Sequence, residues 1–154
     1  MSTDFMIIHK DIAPQFLETL KEVLQEAQQS AVSLPLVVSS DSASRIAAMV
    51  KDAISKGADV FSGKAAPTED NSARVTPTVI GHVSQEMELW KEEAFGPLMG
   101  YITVANEDEA VALANKPGYG LSASIFTKDL RTAFALAKRI HSGYVSVSAI
   151  NETY

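Results

Sequence analysis

The chain has 154 residues, 46% hydrophobic and 21% charged, and a net charge of −6, which is a globular composition with enough length for a real core. It contains no cysteine, so disulfides, thiolate metal sites and a cysteine nucleophile are excluded among these residues, and an acidic balance without a Lys/Arg cluster argues against nucleic acid. His9, His82 and His141 lie too far apart for metal-ligand spacing; no apolar run approaches the ~18 residues of a membrane span; and the polar start Met1-Ser2-Thr3-Asp4 lacks a secretory pattern, so the expectation is a cytoplasmic protein with no metal and no membrane partner.

Phe5 to His9 is a short apolar run suited to a buried strand. Asp11 is expected to cap the following helix, with Pro14 tolerated in its first turn. Ile12, Phe16, Leu20, Val23, Leu24 and Ala27 recur at helical spacing and predict an inward face. Gln28 to Ser40 reads as a loop. A second helix starts near Asp41, with Ile46, Met49, Val50, Ala53 and Ile54 as its buried stripe and Gly57 where a terminating glycine belongs. Val60 to Ser62 reads as a short strand, Lys64 to Arg74 as a polar surface loop, and Thr76 to Val83 as extended chain interrupted by Gly81.

Gly96 to Val104 is the strongest strand pattern. Asn106 and Glu109 form a capping-box-like start for a helix that buries Ala110, Leu113 and Ala114 and stops before Lys116-Pro117-Gly118. Ser122 to Phe126 is another strand. Asp129 caps a helix with Leu130, Ala133, Phe134, Ala137 and Ile140 inward, ended by Gly143, and Tyr144 to Val147 is the last strand. Strands alternating with helices through short connections predict an α/β fold, a mostly parallel sheet with helices on both faces, in one domain over residues 1–154.

The informative block is Trp90-Lys91-Glu92-Glu93-Ala94-Phe95-Gly96-Pro97. A carboxylate here can accept two hydrogen bonds from a vicinal diol such as a ribose, and a neighbouring aromatic offers a flat face to a planar ring. Two solvated acids and a core phenylalanine would fit the bare residues equally well. The block resembles the Glu-Glu-x-Phe-Gly-Pro motif of aldehyde dehydrogenases. Pro77-Thr78-Val79, Leu113-Ala114-Asn115, Tyr119-Gly120-Leu121-Ser122-Ala123 and Ile125-Phe126-Thr127-Lys128-Asp129 resemble family segments in the same order. The resemblance implies the fold of that family's catalytic domain, closest in flavour to its aromatic-aldehyde members. It also implies cofactor positions at Glu93, for the nicotinamide ribose, and Phe95, beside the nicotinamide.

The sequence departs from that family in what it omits. The family's nucleophilic cysteine often immediately precedes a segment like Met1-Ser2-Thr3, and its general-base glutamate, oxyanion asparagine and dinucleotide-binding domain lie further upstream. No Gly-x-Gly-x-x-Gly fingerprint occurs. The resulting expectation is no bound cofactor and no NAD-dependent oxidation by this chain alone, the positions Glu93 and Phe95 being vestigial. Ser148 stands where the family has asparagine, and the family's oligomerisation strand is missing after Asn151, so an unpaired edge predicts a homo-oligomer.

The function expected on these grounds is non-redox chemistry in biosynthesis, of isomerase, cyclase or lyase type, on a small carbonyl compound, aromatic or polyketide-like. Glu93 is the leading acid–base candidate, followed by His9, His82 and His141. Ser2 is a further catalytic candidate, through its hydroxyl and the α-amine left by removal of Met1. Structural roles compete with each: a cap for His9, a turn for His82, a helix terminus for His141 and a frayed end for Ser2. The alternatives are a non-catalytic partner or scaffold that assembles through the sheet edge, a relic fragment, or one part of a dehydrogenase supplied in pieces.

Overall fold

The computed structural model describes residues 3–30, 35–64, 73–116 and 118–148. Ser2, most of the Lys64–Arg74 loop and the segment around Asn151 lie outside the described residues. The chain divides into two compact units between Thr103 and Val104.

The first unit carries β1 (Phe5–His9), α1 (Ala13–Ser30), α2 (Ser40–Ser55), β2 (Asp59–Ser62), β3 (Thr78–Gly81), α3 (Glu88–Lys91) and β4 (Leu98–Val104). Its sheet has the order β1-β4-β3-β2. β3 and β4 run parallel, with Thr78 opposite Leu98. All four residues of β3 are buried, as expected for a strand with a neighbour on each side. β2 departs from the parallel pattern: it pairs antiparallel with β3, Asp59 opposite Gly81, with an irregularity between Val60 and Ser62.

Ile8, Ala13, Val79 and Tyr101 form a buried cluster, flanked by Met6, Leu17, Leu24, Phe61 and Met99. Phe61 meets the Tyr101 ring edge-on at 5.5 Å, an arrangement that satisfies both ring quadrupoles. α1 therefore buries Ala13 and half-buries Leu17, Leu20 and Leu24, spaced as one helical face. Ile12, Phe16, Val23 and Ala27, expected inward, lie on a neighbouring exposed stripe. The expected cap is also displaced. Asp11 sits in the turn before α1, and the first helical bond, from Phe16 N–H, goes to Ile12 O at 2.9 Å.

α2 buries Ala43, Ile46, Ala47, Met49, Val50 and Ala53. Ser39, two residues before the expected start, caps it by accepting from Ser42 N–H at 3.1 Å. Gly57 ends it at φ +94. Gly57 N–H bonds Ile54 O and Ala58 N–H bonds Ala53 O, a Schellman closure that needs a left-handed residue. The region expected as a loop contributes more than a connection: α1 runs on to Ser30, and Leu36 bridges Arg74 antiparallel.

The second unit carries α4 (Glu107–Ala114), β5 (Ser122–Ile125), α5 (Leu130–Ala137) and β6 (Tyr144–Val147). β5 and β6 are parallel and in register from Ser122–Tyr144 to Ile125–Val147. The expected capping box forms: Asn106 Oδ1 accepts Glu109 N–H at 2.9 Å, and Glu109 reaches back to Ala105 N–H at 2.8 Å. Asp129 caps α5 through Arg131 N–H at 2.9 Å. Val111 is the buried residue of α4, while Ala110, Leu113 and Ala114 are half-buried. In α5 Ala133 is fully buried, but Leu130 and Phe134, expected inward, are exposed.

Asn115, the last residue of the Leu-Ala-Asn segment, binds two backbone groups of the α5–β6 connection. Its Nδ2 donates to Arg139 O at 2.8 Å and its Oδ1 accepts His141 N–H at 2.7 Å. Arg139 in turn donates to Asp108 at 2.6 Å. The asparagine is a staple for that connection, since an amide offers both a donor and an acceptor.

Candidate functional site

The Glu92–Pro97 segment links α3 to β4 and is fixed at both ends. α3 is held at its start by Asp52 of α2, whose carboxylate accepts Glu88 N–H at 2.8 Å and Lys56 Nζ at 2.6 Å. The Lys56 contact first, and then the Glu88 amide, lower the Asp52 pKa. Leu89 and Trp90 are buried, and Trp90 packs its ring 5.1 Å from Phe5 of β1. At the far end Pro97 O accepts Thr78 N–H at 2.9 Å, which joins the segment to β3.

Between these anchors the segment is clamped from α2. Arg45 donates through Nη1 to Glu93 O at 3.1 Å and through Nη2 to Ala94 O at 2.6 Å. A planar guanidinium fits two successive carbonyls because its donors form a rigid fork. Gly96 completes the fit, since a Cβ there would overlap Ile46 Cδ1 and stand 3.1 Å from Val37 Cγ1. Phe95 is held at φ +49, a left-handed conformation that costs a bulky residue roughly 1–3 kcal/mol. The residue is 75% exposed. The sequence alternative of a core phenylalanine is therefore excluded.

Ala94 is buried and Glu93 half-buried. Arg45 binds the backbone of Glu93 and leaves the carboxylate free of hydrogen bonds and ion pairs among the described residues. Asp4, just before β1, lies within electrostatic reach: burial first, and then the Glu93 charge, push its pKa up. Asp4 is fixed through its own carbonyl, which accepts Gly100 N–H from β4 at 2.8 Å. The segment thus carries a carboxylate without a hydrogen-bond partner among the described residues and, two positions on, an exposed phenylalanine, on a backbone that is braced on three sides.

The other candidates make different contacts. His9 Nδ1 accepts Asp11 N–H at 3.3 Å, in the turn between β1 and α1. His82 follows β3 and pairs with Asp59 at 2.6 Å. His141 lies in the second unit, exposed, beyond α5. Ser2 is outside the described residues. No group of three or more His, Cys, Asp or Glu able to hold a metal occurs among the described residues, and none of the described helices is long and apolar enough to cross a membrane.

Arg45 and Asp4 are the site residues the sequence does not reveal. An arginine one position before a buried isoleucine looks like any helix-surface cation. Asp4 is distant in sequence from Glu93 and comes within its electrostatic reach through the pairing of β1 beside β4.

An α/β sheet that presents a Glu-Glu-x-Phe-Gly-Pro segment in a fixed form defines an aldehyde dehydrogenase type of catalytic domain. Residues 1–153 match the model of the aldehyde dehydrogenase family, and the chain belongs to that family. It is 34% identical over 153 residues to the peroxisomal aminoaldehyde dehydrogenase 2 of Malus domestica, covering 96% of this chain and 30% of that protein. Among solved structures it superposes on the lactaldehyde dehydrogenase of Escherichia coli with a TM-score of 0.87 and 27% identity, over 98% of this chain and 33% of that one. It superposes on a salicylaldehyde dehydrogenase of Pseudomonas putida G7, complexed with salicylaldehyde, with a TM-score of 0.83 and 29% identity, over 97% and 32%. The chain thus spans about a third of the length of these relatives.

Proposed function

We propose that this chain supplies the nicotinamide-side wall of an aldehyde dehydrogenase catalytic site. The observation that carries the reading is the clamped Glu93–Phe95 segment, whose half-buried carboxylate has no hydrogen-bond partner among the described residues. A vicinal diol offers two O–H donors, and a carboxylate accepts both, so Glu93 is suited to a nicotinamide ribose and Phe95 to the flank of a planar ring. The nicotinamide nucleotide, when bound, accepts the hydride in aldehyde oxidation. The chain's own contribution is orientation. Arg45 fixes the backbone from which both side chains project, which limits the freedom lost on binding. The substrate class is aldehydes; the relatives' names, from aminoaldehyde to salicylaldehyde, give no narrower one.

No thiol is present in these 154 residues, so the reading predicts nucleotide binding without aldehyde turnover by this chain alone. Calorimetric titration with NAD⁺ and NADP⁺, with NADH or NADPH formation followed over an aldehyde panel, tests it. Binding that is weakened by Glu93→Ala, without turnover, supports the reading. Binding unaffected by that change refutes it.

The Asp4–Glu93 pair favours a second reading, the non-redox one. Two neighbouring carboxyl groups can serve as acid and base when one of them holds its proton more tightly than an ordinary carboxyl group. Asp4, raised by burial and by Glu93, is the proton holder, and Glu93 the acceptor, for isomerisation of a small carbonyl compound. Deuterium uptake α to the carbonyl, followed by NMR in D₂O, tests it: uptake lost in both Asp4→Asn and Glu93→Gln supports it, and uptake unchanged in either removes it.

A further inference from the structure

The three histidines are held differently, and the difference fixes their chemistry. At His9 the backbone N–H of Asp11 donates to Nδ1 at 3.3 Å, closer than the Asp11 carboxylate at 3.6 Å, so Nδ1 carries the lone pair and the lone pair is occupied. At His82 the partner of Nδ1 is a carboxylate oxygen of Asp59, 2.6 Å away. An ionised carboxylate only accepts, so Nδ1 carries the proton, and in the neutral imidazole the lone pair is on Nε2. The His141 ring has no such partner among the described residues; its backbone N–H donates to Asn115 Oδ1.

The His82 arrangement is built into the sheet. Asp59 opens β2 directly opposite Gly81, the residue before His82. A Cβ on Gly81 would stand 2.7 Å from both Asp59 Oδ1 and Tyr101 Oη, so glycine is what lets the carboxylate and phenol approach there. His82 itself sits at φ +55, just past the end of β3. Its side chain is 68% exposed, and its ring lies 6.1 Å from the Tyr101 ring. Tyr101 is buried, and burial, then the Asp59 charge, push its phenol up; it therefore stays protonated near neutrality and does not compete for the imidazole proton.

We infer that Asp59 and His82 form a surface acyl-transfer site, separate from the Glu93 segment, that accepts activated acyl groups such as aryl esters. The Nε2 lone pair attacks the acyl carbon and the C–O bond breaks, with the electron pair leaving on the aryloxide. The acylated ring keeps its Nδ1 proton, held against the Asp59 carboxylate. Water then cleaves the acyl-imidazolium; the carboxylic acid and the neutral ring are released, and the proton set free goes to the aryloxide, for a net reaction of ester plus water to acid plus phenol. Asp59 is the positioning residue that keeps the ring in its reactive tautomer.

p-Nitrophenyl acetate is the probe. Released p-nitrophenolate is followed by absorbance, and the acyl group is located by peptide mass spectrometry after a brief exposure. A hydroxylamine-labile acetyl is expected on His82 in preference to His9 and His141, with catalytic turnover. His82→Asn keeps a residue that tolerates positive φ and is expected to lower turnover by about tenfold. Asp59→Asn should lower it by about threefold while the acetyl still lands on His82. Circular dichroism on both variants separates loss of reactivity from loss of fold. Acetylation spread evenly over the three histidines, or turnover unchanged in a folded His82→Asn chain, overturns the proposal.

Discussion

Truncation of Arg45 to alanine removes the donors to Glu93 O and Ala94 O, which stand at 3.1 and 2.6 Å. A hydrogen bond to a charged group contributes roughly 1.5–3 kcal/mol net. Arg45 is half-buried and water replaces part of what is lost, so the pair is worth about 2–3 kcal/mol rather than the full sum. That is comparable to the roughly 1–3 kcal/mol stored in the Phe95 backbone, which the clamp therefore offsets. Released, the segment relaxes and the turn beside it opens. Leu98 N–H, bonded to Gly96 O at 2.8 Å, reports that opening. Its hydrogen exchange is expected to accelerate roughly 30- to 150-fold, with a smaller change for amides inside α2. Arg45→Lys, whose ammonium reaches one carbonyl, should recover about half of the free energy. An unchanged Leu98 rate, or the same factor at every amide, would refute the clamp.

Gly96→Ala is expected to destabilise the first unit by about 1–3 kcal/mol through overlap with Ile46; adding Ile46→Val should restore part of the loss in urea melts, since a smaller side chain yields the space. Asp4 has a raised pKa, so the folded state binds its proton more tightly than the unfolded one, and its contribution to stability falls as pH rises from the ordinary carboxylate value through the raised one. Asp4→Asn should therefore flatten that limb of the melting temperature against pH. Asp52 has the opposite sign: its lowered pKa favours folding above the ordinary carboxylate value, and that support is lost as pH falls through the lowered one. Asn115→Ala removes two backbone partners, and the amides of the α5–β6 connection should lose exchange protection by about tenfold, with β2 and β3 unaffected.

Local signals in the sequence were sufficient for most element positions. The Asn106–Glu109 box, the Asp129 cap and the Gly57 terminus depend on residues a few positions apart, and each forms as read. Which helical stripe faces inward was less legible. α1 carries apolar residues on two adjacent faces, and only packing on Val79 and Tyr101 selects Leu17 and Leu24 over Phe16 and Val23. The antiparallel direction of β2 is likewise a long-range choice, set by pairing across a segment with no periodicity. At the site, Glu93 and Phe95 were legible through the resemblance alone. Arg45, 48 residues from Glu93, Asp4, and the positive φ of Phe95 arise from tertiary contacts that no local pattern encodes.

The most direct measurement is a ¹⁵N chemical-shift titration of this chain with nicotinamide riboside, which carries the nicotinamide and its ribose and none of the cofactor's phosphates. Saturable shifts at Glu93, Ala94 and Phe95, abolished by Glu93→Ala in a chain that keeps the rest of its spectrum, are the predicted result. Absent shifts, or shifts that survive Glu93→Ala, would contradict the assignment of this segment as the nicotinamide-side wall.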